Sequence, residues 1–215
     1  MEKRAFGKTD MQVSVLGFGG AEIGFEKASS STVRELLAGA IDKGLNVIDT
    51  AECYEGSEEL IGNAVSARRS DFYLFTKCGH GATYMTEAWG ADQIAKSIDR
   101  SLKRLKTDYV DLVQLHSCNE QILRKGEAVE ALQRAKKAGK TRYIGYSGDG
   151  SDATYAIKLG VFDTLQTSVS IADQQSVDLT IPLAAQAGMG VIAKRPIANA
   201  AWRSKTMPEN TYIQP

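Results

Sequence analysis

One unit recurs along this chain: an amphipathic helical stretch, a glycine that stops it, and a short apolar run rich in β-branched residues. The first copy is the plainest. Val33, Leu36, Leu37, Ala40 and Ile41 share a helical face, Thr32 to Glu35 has the spacing of a capping box, and Gly44 stands where a C′ residue belongs. Asn46–Thr50 follows as a strand. The grammar returns with Ile94, Ile98, Leu102 and Leu105 before Tyr109–His116, and with Val129, Leu132, Ala135 and Gly139 before Thr141–Ser147. Helices around Tyr155–Leu159 and Pro182–Ala187, closed by Gly160 and Gly188, precede Thr164–Ser170 and Gly190–Pro196. Val15–Gly19 and Phe72–Lys77 bring the expected count to about seven strands.

Strands that alternate with helices over such short connections run parallel, through right-handed crossovers. Their continuous apolar character suits a sheet covered on both faces. An open doubly wound sheet and a closed barrel both meet that description. The open form favours a phosphate loop after the first strand, but Gly17 to Gly24 fits G-x-G-x-x-G only off register, and no acidic residue ends a second strand at the ribose offset. The expectation is therefore an α/β chain of the TIM type, a (β/α)8 barrel in one domain over 1–215. Arg4–Val13 reads as two short strands around a Gly-Lys-Thr-Asp turn, a hairpin that would plug the barrel's bottom (about residues 4–14) rather than join its wall.

Composition excludes several classes. Lys+Arg and Asp+Glu are 26 each, so no net field attracts nucleic acid or anionic lipid, and no basic stripe stands out locally. No apolar run approaches the roughly 20 residues of a membrane span, and the N-terminus lacks a signal peptide's apolar stretch. Three cysteines do not make a disulfide framework. The expectation is a soluble, reduced, cytoplasmic protein.

In a parallel barrel the C-terminal strand ends converge on one mouth, where chemistry sits. Here they carry Asp49 with Tyr54 in the loop beyond, then Lys77, His116, Ser147, Gln166, and finally Lys194 with Arg195. A lysine cation favours a neighbouring phenolate, and a carboxylate holds the lysine. A neutral histidine can donate to a carbonyl oxygen as it gathers charge. That set suits protonation of an alkoxide while hydride arrives from a cofactor, because no side chain supplies hydride. Each member also has a scaffold role open to it: a buried ion pair, a loop tyrosine, a solvated arginine. Cys78-x-His80 and His116-x-Cys118, with Cys53 nearby, could ligate zinc, but C-x-H is tighter than common ligand spacings, so no metal is expected. The cysteines read instead as small fillers at the mouth, made reactive by Lys77.

Three separated motifs resemble the aldo-keto reductase family in the right order: Gly7-Lys-Thr-Asp-Met-Gln-Val-Ser-Val-Leu-Gly17, Asp49-Thr-Ala-Glu-Cys-Tyr54-Glu-Gly-Ser57-Glu58, and Leu102 through Asp108 and Asp111 to His116. The resemblance runs from about residue 4 to 198. It implies a (β/α)8 barrel, a catalytic tetrad of Asp49, Tyr54, Lys77 and His116 with Tyr54 as general acid, and NADPH/NADP+ as cofactor. Gly19 and Gly20 match positions lining the nicotinamide end, and Ser147 and Gln166 match positions that hold its carboxamide. Asp49, Lys194 and Arg195 also fall on the cofactor's side.

The chain departs from the family at Gly148, where asparagine is usual, and at Lys194, where an aromatic usually stacks on the nicotinamide. It also ends at Pro215, soon after the seventh expected strand, in the loop-like Met207–Pro215. The eighth strand and the adenosine clamp are accordingly expected to be missing, the chain being a shortened version of a longer reductase. Two functions follow: NADPH-dependent reduction of small aldehydes and ketones, or a catalytically silent binding or regulatory protein on the same scaffold.

Overall fold

The computed structural model of the chain describes residues 1–80 and 88–198; the Met207–Pro215 stretch lies outside them. Two short strands, β1 (Lys3–Ala5) and β2 (Gln12–Ser14), pair antiparallel as a hairpin of their own. Seven more follow: β3 (Phe18–Gly19), β4 (Val47–Asp49), β5 (Tyr73–Cys78), β6 (Val110–His116), β7 (Thr141–Ser147), β8 (Thr164–Ser168) and β9 (Gly190–Lys194). They form one parallel sheet in strict sequence order, β3 to β9. An open doubly wound sheet reverses its strand order at a switch point. This order never reverses, so the sheet curls one way, as part of a (β/α)8 barrel wall. Among the described residues β3 and β9 are its two outer strands.

The helices are α1 (Ala21–Phe25), α2 (Ser30–Asp42), α3 (Ser57–Val65), α4 (Ala91–Leu105), α5 (Glu120–Lys125), α6 (Glu127–Lys137), α7 (Gly150–Lys158), α8 (Gln175–Asp178) and α9 (Thr180–Gln186). None of them is long and apolar enough to cross a membrane. The start of α2 differs from the expected capping box at Thr32–Glu35. Its N-cap is Ser29, whose Oγ accepts from the Thr32 amide at 3.1 Å, because Ser30 and Ser31 already have helical geometry. The helix turns Val33, Leu37 and Ile41 inward and leaves Leu36 about half exposed, so the buried stripe is narrower than the sequence face.

Strand residues alternate between two cores. Ile48, Leu74, Val113, Leu115, Ile144, Tyr146 and Leu165 face outward and pack against α2, α4 and α6 through Leu37, Ile94, Ile98 and Leu132. Val47, Phe75 and Leu112 face inward and meet Phe6 and Met11 from the hairpin. Phe6 stacks on Phe75 at 5.9 Å and 15°. The turn of the hairpin runs so close to the start of β9 that a Cβ on Gly7, where φ is +56°, would overlap the Gly190 amide nitrogen. Only glycine meets both demands. The Lys8 amide donates to the Gly188 carbonyl at 2.7 Å, fastening the hairpin to that end.

Candidate active site

Two residues further along each strand, the inward positions change character. Val47 gives way to Asp49, Phe75 to Lys77, Leu112 to Gln114 and then His116, Gly145 to Ser147, Thr164 to Gln166, and Ile192 to Lys194. Register places Asp49 beside Phe75, Lys77 beside Gln114, His116 beside Ser147, and Ser147 beside Gln166. Polar side chains from six neighbouring strands thereby gather at one end of the sheet. Tyr54 reaches the same end from the turn after β4, which is held by Tyr54 N–H to Ala51 O (3.1 Å) and Ser57 N–H to Tyr54 O (2.8 Å). Ser57 anchors that turn further, its Oγ donating to Gly20 O at 2.6 Å and lying 2.9 Å from Thr50 Oγ1.

Lys77 is 2 % exposed and is the hub. Its Nζ donates to Asp49 Oδ2 at 2.6 Å and to Thr50 O at 2.8 Å, and it lies 5.1 Å from the Tyr54 ring centroid. Asp49 is shared: Oδ2 also accepts from Gln166 Nε2 at 3.0 Å, and Oδ1 from Gln114 Nε2 at 3.4 Å. Ser147 Oγ donates to Gln166 Oε1 at 2.9 Å, so a chain of bonds links Ser147 to Lys77. His116 meets Tyr54 edge-on, with ring centroids 5.7 Å apart at 82°. The four tetrad residues expected from sequence are brought together.

Burial sets the protonation of the group. It would lower the Lys77 pKa, but the Asp49 carboxylate outweighs it, and Lys77 stays a cation with its pKa above the ordinary lysine value. His116 is pushed well below its usual value, first by desolvation and then by Lys77, so the imidazole is neutral at pH 7. Tyr54 departs from the simple expectation of a lowered pKa. Desolvation raises it more than the Lys77 cation lowers it, and the phenol is firmly protonated.

The cysteines differ from expectation as well. All three are buried, and burial pushes the Cys53 thiol up to about 12 and the Cys78 thiol well above its usual value. The Lys77 ammonium does not overcome that at Cys53, so Cys53 and Cys78 are protonated thiols and not reactive thiolates. Cys53 Sγ lies 3.4 Å from His116 Nδ1, whereas Cys78 Sγ turns to Gln114 O at 3.6 Å. Among the described residues, no three His, Cys, Asp or Glu side chains are grouped to hold a metal ion.

The remaining expected residues sit around this centre. A Cβ on Gly19 would meet nothing within 4 Å, so the backbone there borders open space. Gly20 is a packing position instead: a Cβ would come within 2.8 Å of Ser57 Oγ. Lys194 pairs with Asp149 Oδ2 at 3.1 Å, and Arg195 reaches Ser168 Oγ at 2.9 Å and Asp149 at 3.7 Å. The absence of a side chain at Gly148 has a local cause. The Tyr146 hydroxyl donates to Cys118 O at 2.6 Å, and a Cβ at 148 would fall 2.5 Å from the Tyr146 hydroxyl oxygen.

Four residues in and around the site escaped the sequence reading. Gln114 was legible in principle, being a polar residue at an inward position of an apolar strand. Asp149 accepts from Thr167 Oγ1 (2.9 Å) and the Ser168 amide (2.6 Å) and holds both strand-end cations, a role set by contacts distant in sequence. Glu58 and Glu52 lie behind the sheet. Glu58 accepts from Thr76 Oγ1 at 2.6 Å, and Glu52 accepts from Ser97 Oγ and from Arg100 at 2.6 Å, binding α3 and α4 to the turn that carries Tyr54.

Comparison with known proteins places the chain in a family. The model of the Aldo/keto reductase family matches residues 15–214. L-galactose dehydrogenase of Arabidopsis thaliana is 34 % identical, aligned over 97 % of this chain and 69 % of its own length. A methylglyoxal reductase of Escherichia coli is 29 % identical over 95 % of this chain and 71 % of its own. Among solved structures, an aldo-keto reductase of Bacillus halodurans in its holo form superposes with TM-score 0.86 at 30 % identity, covering 97 % of this chain and 71 % of that one. An aldo/keto reductase of Klebsiella pneumoniae in complex with NADP and acetate gives TM-score 0.79 at 28 % identity, over 93 % of this chain and 70 % of that one.

Proposed function

The chain belongs to the aldo/keto reductase family, and from that premise we propose that it reduces small aldehydes or ketones to alcohols with NADPH, Tyr54 serving as general acid. The observation that carries the proposal is the buried Lys77, held by Asp49 at 2.6 Å and set against the Tyr54 ring. A cation fixed beside a protonated phenol has little to do until the phenol gives up its proton, and then it stabilises the phenolate.

The residues present fit a nicotinamide coenzyme. Ser147 and Gln166 together offer a donor and an acceptor, the complement of a primary carboxamide, and the Gly19 backbone borders open space with no side chain in the way. When bound, the coenzyme supplies the hydride. The chain's own residues handle the oxygen. The neutral imidazole of His116 donates a hydrogen bond to the carbonyl oxygen and orients it. As the C=O π bond breaks and charge gathers on that oxygen, the Tyr54 hydroxyl proton moves onto it. Lys77, held in place by Asp49, stabilises the resulting phenolate until it is reprotonated. Choice of NADPH over NADH leans on the NADP and NADPH complexes of the Klebsiella pneumoniae structures.

The test separates binding from chemistry. Fluorescence titrations with NADPH and NADH measure binding, and single-turnover reduction of a reactive aldehyde measures the chemical step. Tyr54→Phe should keep NADPH binding and lower the single-turnover rate by about 10²–10⁴-fold, the usual contribution of general acid catalysis. A rate within about tenfold of the parent removes Tyr54 from the role. NADPH binding with no turnover in the parent itself would instead favour the silent, nucleotide-binding reading.

A further inference from the structure

The two nitrogens of a neutral imidazole are not equivalent. One carries the proton and donates; the other can only accept, and its hydrogen-bond partner decides which is which. His116 Nδ1 lies 3.4 Å from Cys53 Sγ, deep in the structure where Cys53 is 2 % exposed. The ring is also fixed in place by Tyr54 at 5.7 Å and His80 at 5.2 Å, both edge-on.

The direction of the Cys53–His116 bond follows from the chemistry of its two ends. Burial keeps the thiol protonated, against the pull of Lys77, so an S–H is available to donate. A thiol sulfur is a poor acceptor, whereas the lone pair of an unprotonated imidazole nitrogen is a good one. The favoured arrangement is therefore S–H to Nδ1 and not Nδ1–H to sulfur. It leaves the single ring proton on Nε2.

We propose that Cys53 is a positioning residue: its thiol donates to Nδ1 of His116 and thereby holds the imidazole as the Nε2–H tautomer, the form that can donate to a substrate carbonyl oxygen. One short turn would then supply both the proton donor, Tyr54, and the residue that prepares the second donor. The consequence for reduction rests on the proposed function above, but the tautomer itself does not, and it can be read in the absence of any turnover.

The chain contains only two histidines, which makes the test direct. With ¹⁵N-labelled histidine in the full chain, His116→Gln assigns the signals by removing one set. At neutral pH the parent His116 should show a protonated Nε2 and an unprotonated Nδ1. Cys53→Ser, which keeps a donor, should retain that pattern; Cys53→Ala should give a mixture with measurable Nδ1–H. The kcat for aldehyde reduction should fall roughly tenfold in Cys53→Ala, less than the 10²–10³-fold cost of deleting a donor outright, and recover in Cys53→Ser. The KM for NADPH should not move. Should the Ala variant not fold, Cys53→Val fills the space without a donor and carries the same comparison. A parent with Nδ1–H, or a tautomer indifferent to loss of the thiol, overturns the assignment. An Nε2–H tautomer that responds to Cys53 in a chain with no turnover counts against the proposed reaction and upholds the Cys53 bond.

Discussion

The interior of the sheet has two ends that differ by one step of the β pleat. At the hairpin end, Phe6, Met11, Val47, Phe75 and Leu112 pack against one another as an apolar plug. At the other, Asp49, Lys77 and Gln114 occupy the next inward positions of the same three strands, and Ser147 and Gln166 the matching positions of β7 and β8, all joined by hydrogen bonds. Two residues of strand cover about 6.6–6.8 Å, so the change from apolar core to ion pair happens within one side-chain layer. The lower layer loses water and gains contact. The upper layer also loses water, and holds its charges only because each is paired or hydrogen-bonded. The plug is thus a source of stability, while the polar layer is an arrangement that stability must support.

Lys77→Met tests the polar layer most severely. It removes one partner of a buried pair and leaves Asp49 with amide donors alone. Stability should fall by about 3–5 kcal/mol, measurable by urea unfolding. Aldehyde reduction should be abolished with it, and the phenol absorbance of Tyr54 should titrate at higher pH, because the one large influence lowering its pKa is gone. An unchanged Tyr54 titration would show that another group tunes it.

Met11→Ala addresses the plug. Met11 is fully buried between the hairpin and the strands, so the substitution should cost about 2–5 kcal/mol of stability. Once folded, the variant should bind NADPH and reduce aldehyde at close to the parent rate, since Met11 packs in the apolar cluster of Phe6, Val47, Phe75 and Leu112. A loss of turnover out of proportion to the loss of folded protein would mean that the two layers are mechanically coupled, and the contrast between them would fail.

What was legible in the sequence follows the same division. Strand positions are set by local alternation and by glycine stops, and the seven expected strands agree with the observed ones to within a few residues at their ends. Asp49, Lys77 and His116 stand at strand termini, so the barrel geometry alone places them together. The start of α2 was misread because Thr32 and Glu35 imitate a capping box one turn inside a helix that Ser29 already caps. The protonation states were beyond reach, since they depend on how much water each group loses. Lys77 does pull the Tyr54 and Cys53 pKa values down, as the convergence of strand ends suggests, yet burial outweighs it in both. Asp149 was invisible for another reason: its partners Lys194 and Arg195 lie more than forty residues away, and no local pattern links them.

The smallest effect concerns pH, and it separates the layers without touching catalysis. His116 has a folded-state pKa well below the ordinary 6.5, because desolvation and the Lys77 cation both oppose its charging. As pH falls through 6.5, the unfolded chain takes up a proton at this residue while the folded chain does not. The unfolded state is favoured, and stability declines by up to about 1.4 kcal/mol per pH unit until the folded-state pKa is reached. His116→Gln abolishes that proton uptake in both states. Urea unfolding of parent and variant between pH 7.5 and 5.5 should therefore give curves that differ in slope, the variant being flatter on the acid side. Other groups titrate alike in the two chains and cancel in the difference. Met11→Ala, acting on the plug, should shift its curve down by a constant amount with the parent's slope. Parallel curves for His116→Gln and the parent would mean that His116 gains its proton as easily in the folded chain as in the unfolded one, and the neutral imidazole on which the hydrogen-bond role depends would be lost.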